Sequence, residues 1–408
     1  MLGSLSDSTP VNSVNIDFNN TEIAFKNKSN NDLERAYWLF KAISINFLSK
    51  VGPPITSFAI RIGLPIKSLI KATIFKHFCG GETIEECENT IKQLANGGVG
   101  TILDYSVEGE EQEKVFDETC QEICRTIEKA KHDSRVSLSV FKVTGLVHTY
   151  ILEKVSAKQA LTDDELQRFQ RAKSRVAVIC KMASDYEVKI MIDAEESWIQ
   201  TAINEIAIEM MRSYNKLQPI VYNTYQLYRI DALGALKADF NVAKNAGFCL
   251  GAKIVRGAYM EKERLRAEEN GYASPIHATK RATDADYDDS VRFCMENLED
   301  IATVVGTHNE ASCRLVVDLV AEKKISANHP HLILSQLLGM SDNFSFNLAN
   351  AGFNVAKYVP YGPVKAVLPY LFRRAKENTA IAGQASRELD LIKKEKKRRN
   401  QSRPAPGP

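Results

Sequence analysis

VKIMIDAEESWIQTAINEIAIEMMRSY (188–214) contains two periodicities joined at a turn. Residues 188–193 form a short apolar, partly β-branched run that closes on a carboxylate, Asp193. Residues 198–214 carry apolar side chains at helical spacing, with Ile199, Ile203, Ile206 and Met210 on one face. A strand followed directly by a helix is one half of a crossover between parallel strands. Upstream, the same type of strand occurs as VGTILDY (99–105) and VSLSVFK (136–142). Downstream it recurs as PIVYNTY (219–225), CLGAKIV (249–255), ATVVGT (302–307), LILSQ (332–336) and NVAKYV (354–359). Helical stretches at 117–131, 163–184, 284–297 and 310–323 alternate with them. Eight such units, with strands apolar on both faces, predict a closed parallel barrel rather than an open sheet. The fold class expected is α/β, a distorted (βα)8 TIM-like barrel over 98–385, preceded by a basic amphipathic helical arm at 31–97. A chain of 408 residues accommodates a barrel of about 250 residues with attached segments.

Barrel active sites gather at the strand C-termini. Those positions here are Asp104, Lys142, Asp193, Gln226, Lys253 with Arg256, His308, Gln336 and Tyr358. Few of them are residues a core would choose, although a merely solvated rim would also carry some polar groups. Other chemistries lack their patterns. Gly97-Gly98-Val99-Gly100 precedes a strand, so it does not form a dinucleotide-binding turn, and no Walker or HExxH sequence occurs. The eight cysteines contain no CxxC pair and read as reduced thiols. Cys120 and Cys124 share a helix face, but no second half of a metal site accompanies them. A net charge of +2 is not that of a polyanion binder. The apolar runs are too short to span a membrane.

Residues 1–30 are rich in Asn and Ser, carry Asp7, Asp17 and Glu22, and have no Lys or Arg before Lys26. They are unlike a mitochondrial presequence and are expected to be disordered. Residues 386–408, with KKEKKRR at 393–399, are read as a basic disordered tail. Between Ala36 and Gly81 six basic residues and no acidic one are set among Trp38, Phe40, Phe47, Phe58, Phe75 and Phe78. Such a segment either lies on an anionic bilayer or wraps the barrel as a helical arm.

PYGPVKAVLPYLFRRAKENTA (360–380) places Arg373 and Arg374 side by side after an apolar run, with Glu377 within helical reach of both. Alone, this is a solvated helix face. Pro369 suggests a break in the helix near Leu368. Six motifs change the reading: MIDAEE (191–196), YNTYQ (222–226), GAKIVRGAYMEKER (251–264), GTHNEAS (306–312), QLLGMSDN (336–343) and KYVPYGPVKAVLPYLFRRAKEN (357–378). In this order they make residues 98–383 resemble the proline dehydrogenase family, in its eukaryotic mitochondrial form.

The resemblance implies FAD over the strand ends and oxidation of L-proline to 1-pyrroline-5-carboxylate by hydride transfer, with electrons passed to a quinone. This is the first step of proline degradation to glutamate, at the matrix face of the mitochondrial inner membrane. Asp193, Lys253, Tyr358, Arg373 and Arg374 form the catalytic set. The arginine pair takes the proline carboxylate, Lys142 meets the same side, and Tyr358, Tyr259 and Leu337 wall the ring. Lys253, where relatives carry Arg, and Gln226 contact the flavin ring, with Asp193 and Ala194 beside it. Arg256, Gly257 and Ala258 line the phosphate-bearing chain, and Thr307, His308 and Asn309 also contact the cofactor. Glu377 bonds the cofactor or braces the arginines. Asp104 either gates entry by pairing with Arg373 or is a simple strand-end carboxylate. Competing readings are a hydroxyproline dehydrogenase of the same fold, against which Tyr358 argues, a membrane-associated scaffold without catalysis, and a metal-dependent lyase built on Asp193 and His308.

Overall fold

The computed structural model describes residues 16–43, 67–106, 111–380 and 384–402. Eight strands, β1 (Gly100–Tyr105), β2 (Val136–Phe141), β3 (Ile190–Ile192), β4 (Val221–Gln226), β5 (Leu250–Val255), β6 (Ile301–Gly306), β7 (Leu332–Leu337) and β8 (Val355–Tyr361), pair in sequence order. All pairs are parallel, and β8 closes on β1 with Ile102 opposite Tyr358. The expected barrel is therefore present, each strand within two residues of its sequence reading.

Strand alternation divides the core into two layers. Ile102, Leu138, Val140, Met191, Tyr222, Val304, Ile333, Ala356 and Tyr358 fill the interior. Their neighbours Leu103, Phe141, Ile190, Ile192, Val221, Leu250, Ile254, Leu334 and Val359 pack under the helices. Extending the inner set in steps of two toward the C-termini reaches Asp104, Lys142, Asp193, Gln226, Lys253 and Leu337. One face of the sheet thus carries an apolar plug below and polar groups at the mouth. Gln336 has the other parity. It points outward, accepting from Ser345 Oγ at 2.8 Å and donating to the Thr307 carbonyl at 3.2 Å, so it leaves the list of mouth residues.

Both termini correct the sequence reading. Residues 1–15 and 403–408 lie outside the described residues, but 16–30 and 386–402 are ordered. Helix Gln384–Gln401 packs on Asn30–Ile43, burying Leu391 and Ile392 among Phe25, Leu33 and Phe40. Glu395, fully buried, accepts from Arg398 and Arg399, and Arg399 also donates to the Phe25 and Lys28 carbonyls, each at 2.8 Å. Phe18 meets Phe344 edge-on at 5.1 Å. The basic run hid a stripe at 388, 391, 392, 395 and 399, which is a helix face once a partner exists to bury it.

The described end of the basic arm also packs on the barrel. Phe75, Phe78 and Cys79 cluster with Val364, Val367, Leu368 and Leu371, and Lys71 pairs with Glu82 at 2.8 Å. Lys50, Arg61, Phe47 and Phe58 lie outside the described residues. The last barrel helix, Val364–Ala380, runs without a break through Pro369. Pro369 stands just past the first turn, so a single ladder bond is forgone. Pro369 and Lys365 are both exposed, and water can reach the carbonyl left without its partner.

Candidate active site at the barrel mouth

Asp193, one residue beyond β3, is the centre of the mouth. Its carboxylate takes Lys253 Nζ on one oxygen and Lys142 Nζ on the other, the latter at 3.3 Å. Tyr358 bridges the set: its hydroxyl accepts from Lys253 at 2.5 Å and donates to Asp193 at 3.0 Å. Lys253 Nζ also lies 4.7 Å from the Tyr358 ring centre. Burial would push the Asp193 carboxyl up, but Lys253 and Lys142 outweigh it and hold the group below its ordinary value. Burial lowers Lys253 despite Asp193, and raises Tyr358 well above the ordinary phenol. The phenol therefore stays protonated. The Asp104 carboxylate also acts on Lys253 and Tyr358, so two lysines and two carboxylates share the mouth.

Hydrogen bonds tie four successive loops together. Thr144, after β2, donates through its N–H (3.1 Å) and its hydroxyl (2.5 Å) to the buried Glu195, after β3. The Glu195 carbonyl accepts from Gln226 Nε2 at 2.7 Å, and Gln226 Oε1 accepts from Ala258 N–H at 3.2 Å. Burial, with Glu196 nearby, pushes the Glu195 carboxyl up to about 7, opposed by the Thr144 donors. Sequence reading missed Thr144 and Glu195; the second acid of MIDAEE was the available signal.

Arg256 spreads its guanidinium over Asp284 (2.7 Å), Thr307 Oγ1 (3.0 Å) and Ser312 Oγ (2.9 Å), stacked 4.1 Å from the Tyr287 ring centre. Gly257 follows with φ +128°, a conformation that L side chains rarely adopt, and a Cβ there would fall 2.2 Å from the Tyr228 ring. Gly257 and Ala258 are exposed at the rim, while Ala194 is buried.

His308 is committed at both nitrogens. Nδ1 lies 2.9 Å from Ser341 Oγ, and Nε2 accepts the Leu337 N–H at 3.4 Å. Burial and the neighbouring Lys357, Arg374 and Arg256 push its pKa down to about 3, so the ring is neutral. An Nε2 that accepts fixes the proton on Nδ1. Asn309 caps helix Glu310–Glu322 by accepting from Ser312 N–H at 3.3 Å. Both Asp193 oxygens and both His308 nitrogens, the two ligands of the lyase reading, meet other protein groups. Among the described residues no three His, Cys, Asp or Glu gather as a metal site.

Arg373 lies with its guanidinium carbon 5.7 Å from the Tyr259 ring centre, and Arg374 stands 5.2 Å from Tyr370. Arg374 is only 6% exposed, which excludes a solvated face for that side chain. Asp104 is buried and accepts from Ser106 Oγ at 2.5 Å. The Glu377 side chain lies outside the described residues. The structure thus joins Lys142, Asp193, Lys253 and Tyr358 in one cluster, Gln226 with Ala258, Arg256 with Thr307, and His308 with Leu337.

The family model described as Proline dehydrogenase matches residues 87–387. A Dictyostelium discoideum protein named proline dehydrogenase 1, mitochondrial, is 33% identical, the match covering 93% of this chain and 74% of that protein. Proteins of the same name from Caenorhabditis elegans (38% identical, 80% of this chain) and Homo sapiens (40%, 64% of this chain) also match. The matches cover 54% and 44% of those two proteins. Among solved structures, proline utilization A from Bdellovibrio bacteriovorus, inactivated by N-propargylglycine, superposes with a TM-score of 0.71 at 19% identity. That match covers 91% of this chain and 40% of the other, and it bears on the fold.

Proposed function

The chain belongs to the proline dehydrogenase family, and on that footing we propose that its barrel mouth holds FAD and oxidises L-proline to 1-pyrroline-5-carboxylate. The observation that carries this reading is the Asp193–Lys253–Tyr358–Lys142 cluster, two lysines held by one carboxylate and a phenol on the inner wall at the strand C-termini. Proline must lose a hydride from the ring carbon next to nitrogen, and since no side chain accepts hydride, bound FAD supplies the acceptor. The residues present suit that group. On this reading Lys253 and Gln226 would meet the flavin ring, with Asp193 and Ala194 beside it. Arg256 would add positive potential toward an anionic diphosphate, and Gly257, without a side chain, leaves the exposed backbone there open to close approach.

Each side chain has a separate task. Arg373 and Arg374 bind the carboxylate and exclude water from it, with Lys142 adding positive potential on the same side. Tyr358, Tyr259 and Leu337 wall the ring. Lys253 keeps a fixed charge or donor near the acceptor, where added negative charge is stabilised. Asp193 holds Lys253 and Tyr358 in place. Thr307, His308 and Asn309 line the cofactor side, and Asp104 guards entry. A tyrosine at 358 favours the unsubstituted ring over hydroxyproline. The purified protein should be yellow, and acid or heat should release its FAD; a colourless protein that stays inactive on FAD addition would contradict the assignment.

Electrons pass on to a quinone in a mitochondrial membrane, consistent with relatives named mitochondrial. Among the described residues no helix is long and apolar enough to cross a membrane; the basic segment that includes Lys50, Arg61 and Lys76 would supply a peripheral contact. Each such residue contributes about 1 kcal/mol near an anionic surface. Sedimentation with cardiolipin vesicles should be strong at low salt and weak at high salt. Equal binding after Lys50, Arg61 and Lys76 are changed to Glu would remove the segment's membrane role.

A further inference from the structure

Ser341, in the loop between β7 and helix Asp342–Asn350, is a non-glycine residue in the left-handed region, with φ +52° and ψ +41°. It occupies the N-cap position of that helix. A serine there ordinarily has extended backbone and turns its hydroxyl onto an N–H of the first turn. Here no side-chain cap forms, and the hydroxyl instead meets His308 Nδ1 at 2.9 Å. The Ser341 N–H donates at 2.6 Å to Glu388, a buried carboxyl on helix Gln384–Gln401. One residue is thus held in a costly conformation by two distant parts of the chain.

The neighbouring groups hold the same loop. Lys357, outward on β8, donates to the carbonyls of Leu337 (3.3 Å) and Met340 (2.5 Å). His77 Nε2 lies 2.8 Å from the Gly339 carbonyl. Lys28 and Lys357 pair with Asp342 at 3.1 and 2.7 Å. Burial and the nearby Asp342 push the Glu388 carboxyl up to about 7, opposed by the Ser341 N–H and by Lys357 and Lys28.

We propose that Glu388 is a positioning residue for the barrel mouth: by holding Ser341 left-handed it directs the serine hydroxyl to His308 and fixes that imidazole toward the cofactor side. Without the acceptor at 388, Ser341 relaxes to an ordinary cap, its hydroxyl turns to the helix, and His308 loses the partner of its Nδ1–H. The C-terminal helix then belongs to the site's support. The cofactor half of this inference rests on the function proposed above.

The test uses the full chain with Glu388→Ala, Glu388→Gln and, as a packing control, Ile392→Ala. The readouts are the ring 15N shifts of His308, the rate of FAD release by flavin fluorescence, and the melting temperature. Wild type and Glu388→Gln, which keeps the acceptor, should show the Nδ1–H tautomer and release FAD at rates within about threefold. Glu388→Ala should show a mixed tautomer and about tenfold faster release. Ile392→Ala should melt lower with unchanged His308 shifts. If Glu388→Ala melts lower but keeps the wild-type tautomer, or if Ile392→Ala changes the tautomer equally, Glu388 only stabilises the fold and the proposal is wrong. Should Glu388→Ala not fold, Ser341→Ala must give the same His308 change or the link fails. A wild type that takes up no FAD defeats the function proposed above, while the His308 shifts still decide the link from Glu388.

Discussion

Arg374→Met and Arg373→Met should each lower kcat/KM for L-proline by about a hundredfold while leaving FAD bound. On the proposed function each removes a charged donor to the proline carboxylate, and a hydrogen bond to a charged group contributes about 1.5–3 kcal/mol, whose upper end is roughly a hundredfold. Adjacent helical residues diverge by about 100°, so both guanidinium groups reach one anion only where the helix runs across the mouth. Arg374 is buried and Arg373 lies against Tyr259, so neither is placed as a freely solvated cation. Methionine keeps much of the length and apolar contact, which confines the change to charge and donors. Surface pairs are typically within 1 kcal/mol of neutral. Steady-state kinetics with flavin content measured in parallel decide the matter: unchanged kinetics in both variants would return the arginines to a structural role.

Asp342→Asn should be among the most destabilising single changes on the barrel wall, at about 3–5 kcal/mol at neutral pH. Burial would raise the Asp342 carboxyl, but Lys28 and Lys357 hold it well below the ordinary range. Burial lowers both lysines. At Lys28 the pairing with Asp342 wins and the pKa rises, whereas at the fully buried Lys357 burial wins. A folded-state pKa below the unfolded one means that the stabilisation is complete above the ordinary carboxylate range. It is lost as pH falls below about 4 through the folded value. Urea unfolding at pH 7 and pH 3 should therefore show a large gap between wild type and variant at the higher pH and a smaller one at the lower. A gap below about 1 kcal/mol at pH 7 would show that the two lysines do not depend on this carboxylate.

The strands were legible because each is a short β-rich run with apolar residues on both faces, and the mouth because polar residues end those runs. What strand ends alone do not give is facing. Gln336 and Lys357 sit one residue from Leu337 and Tyr358, and that single step turns them out under the helices. The terminal helix was illegible for another reason. Its buried stripe of Glu388, Leu391, Ile392 and Glu395 is interrupted by charges, and it becomes a face only against Phe25, Leu33 and Phe40, more than 340 residues away. The pairing of Thr144 with Glu195 likewise depends on β2 and β3 lying side by side. Pro369 signalled a break that the helix avoids because the proline stands so near its start.

The central claim is that this mouth transfers a hydride from L-proline to bound FAD, and anaerobic mixing of the purified protein with substrate tests it most directly. L-proline should bleach the flavin absorbance, and trans-4-hydroxy-L-proline should need a higher concentration to do so if Tyr358 walls the ring as proposed. A flavin left oxidised by saturating L-proline, or bleached more readily by the hydroxylated ring, would contradict it.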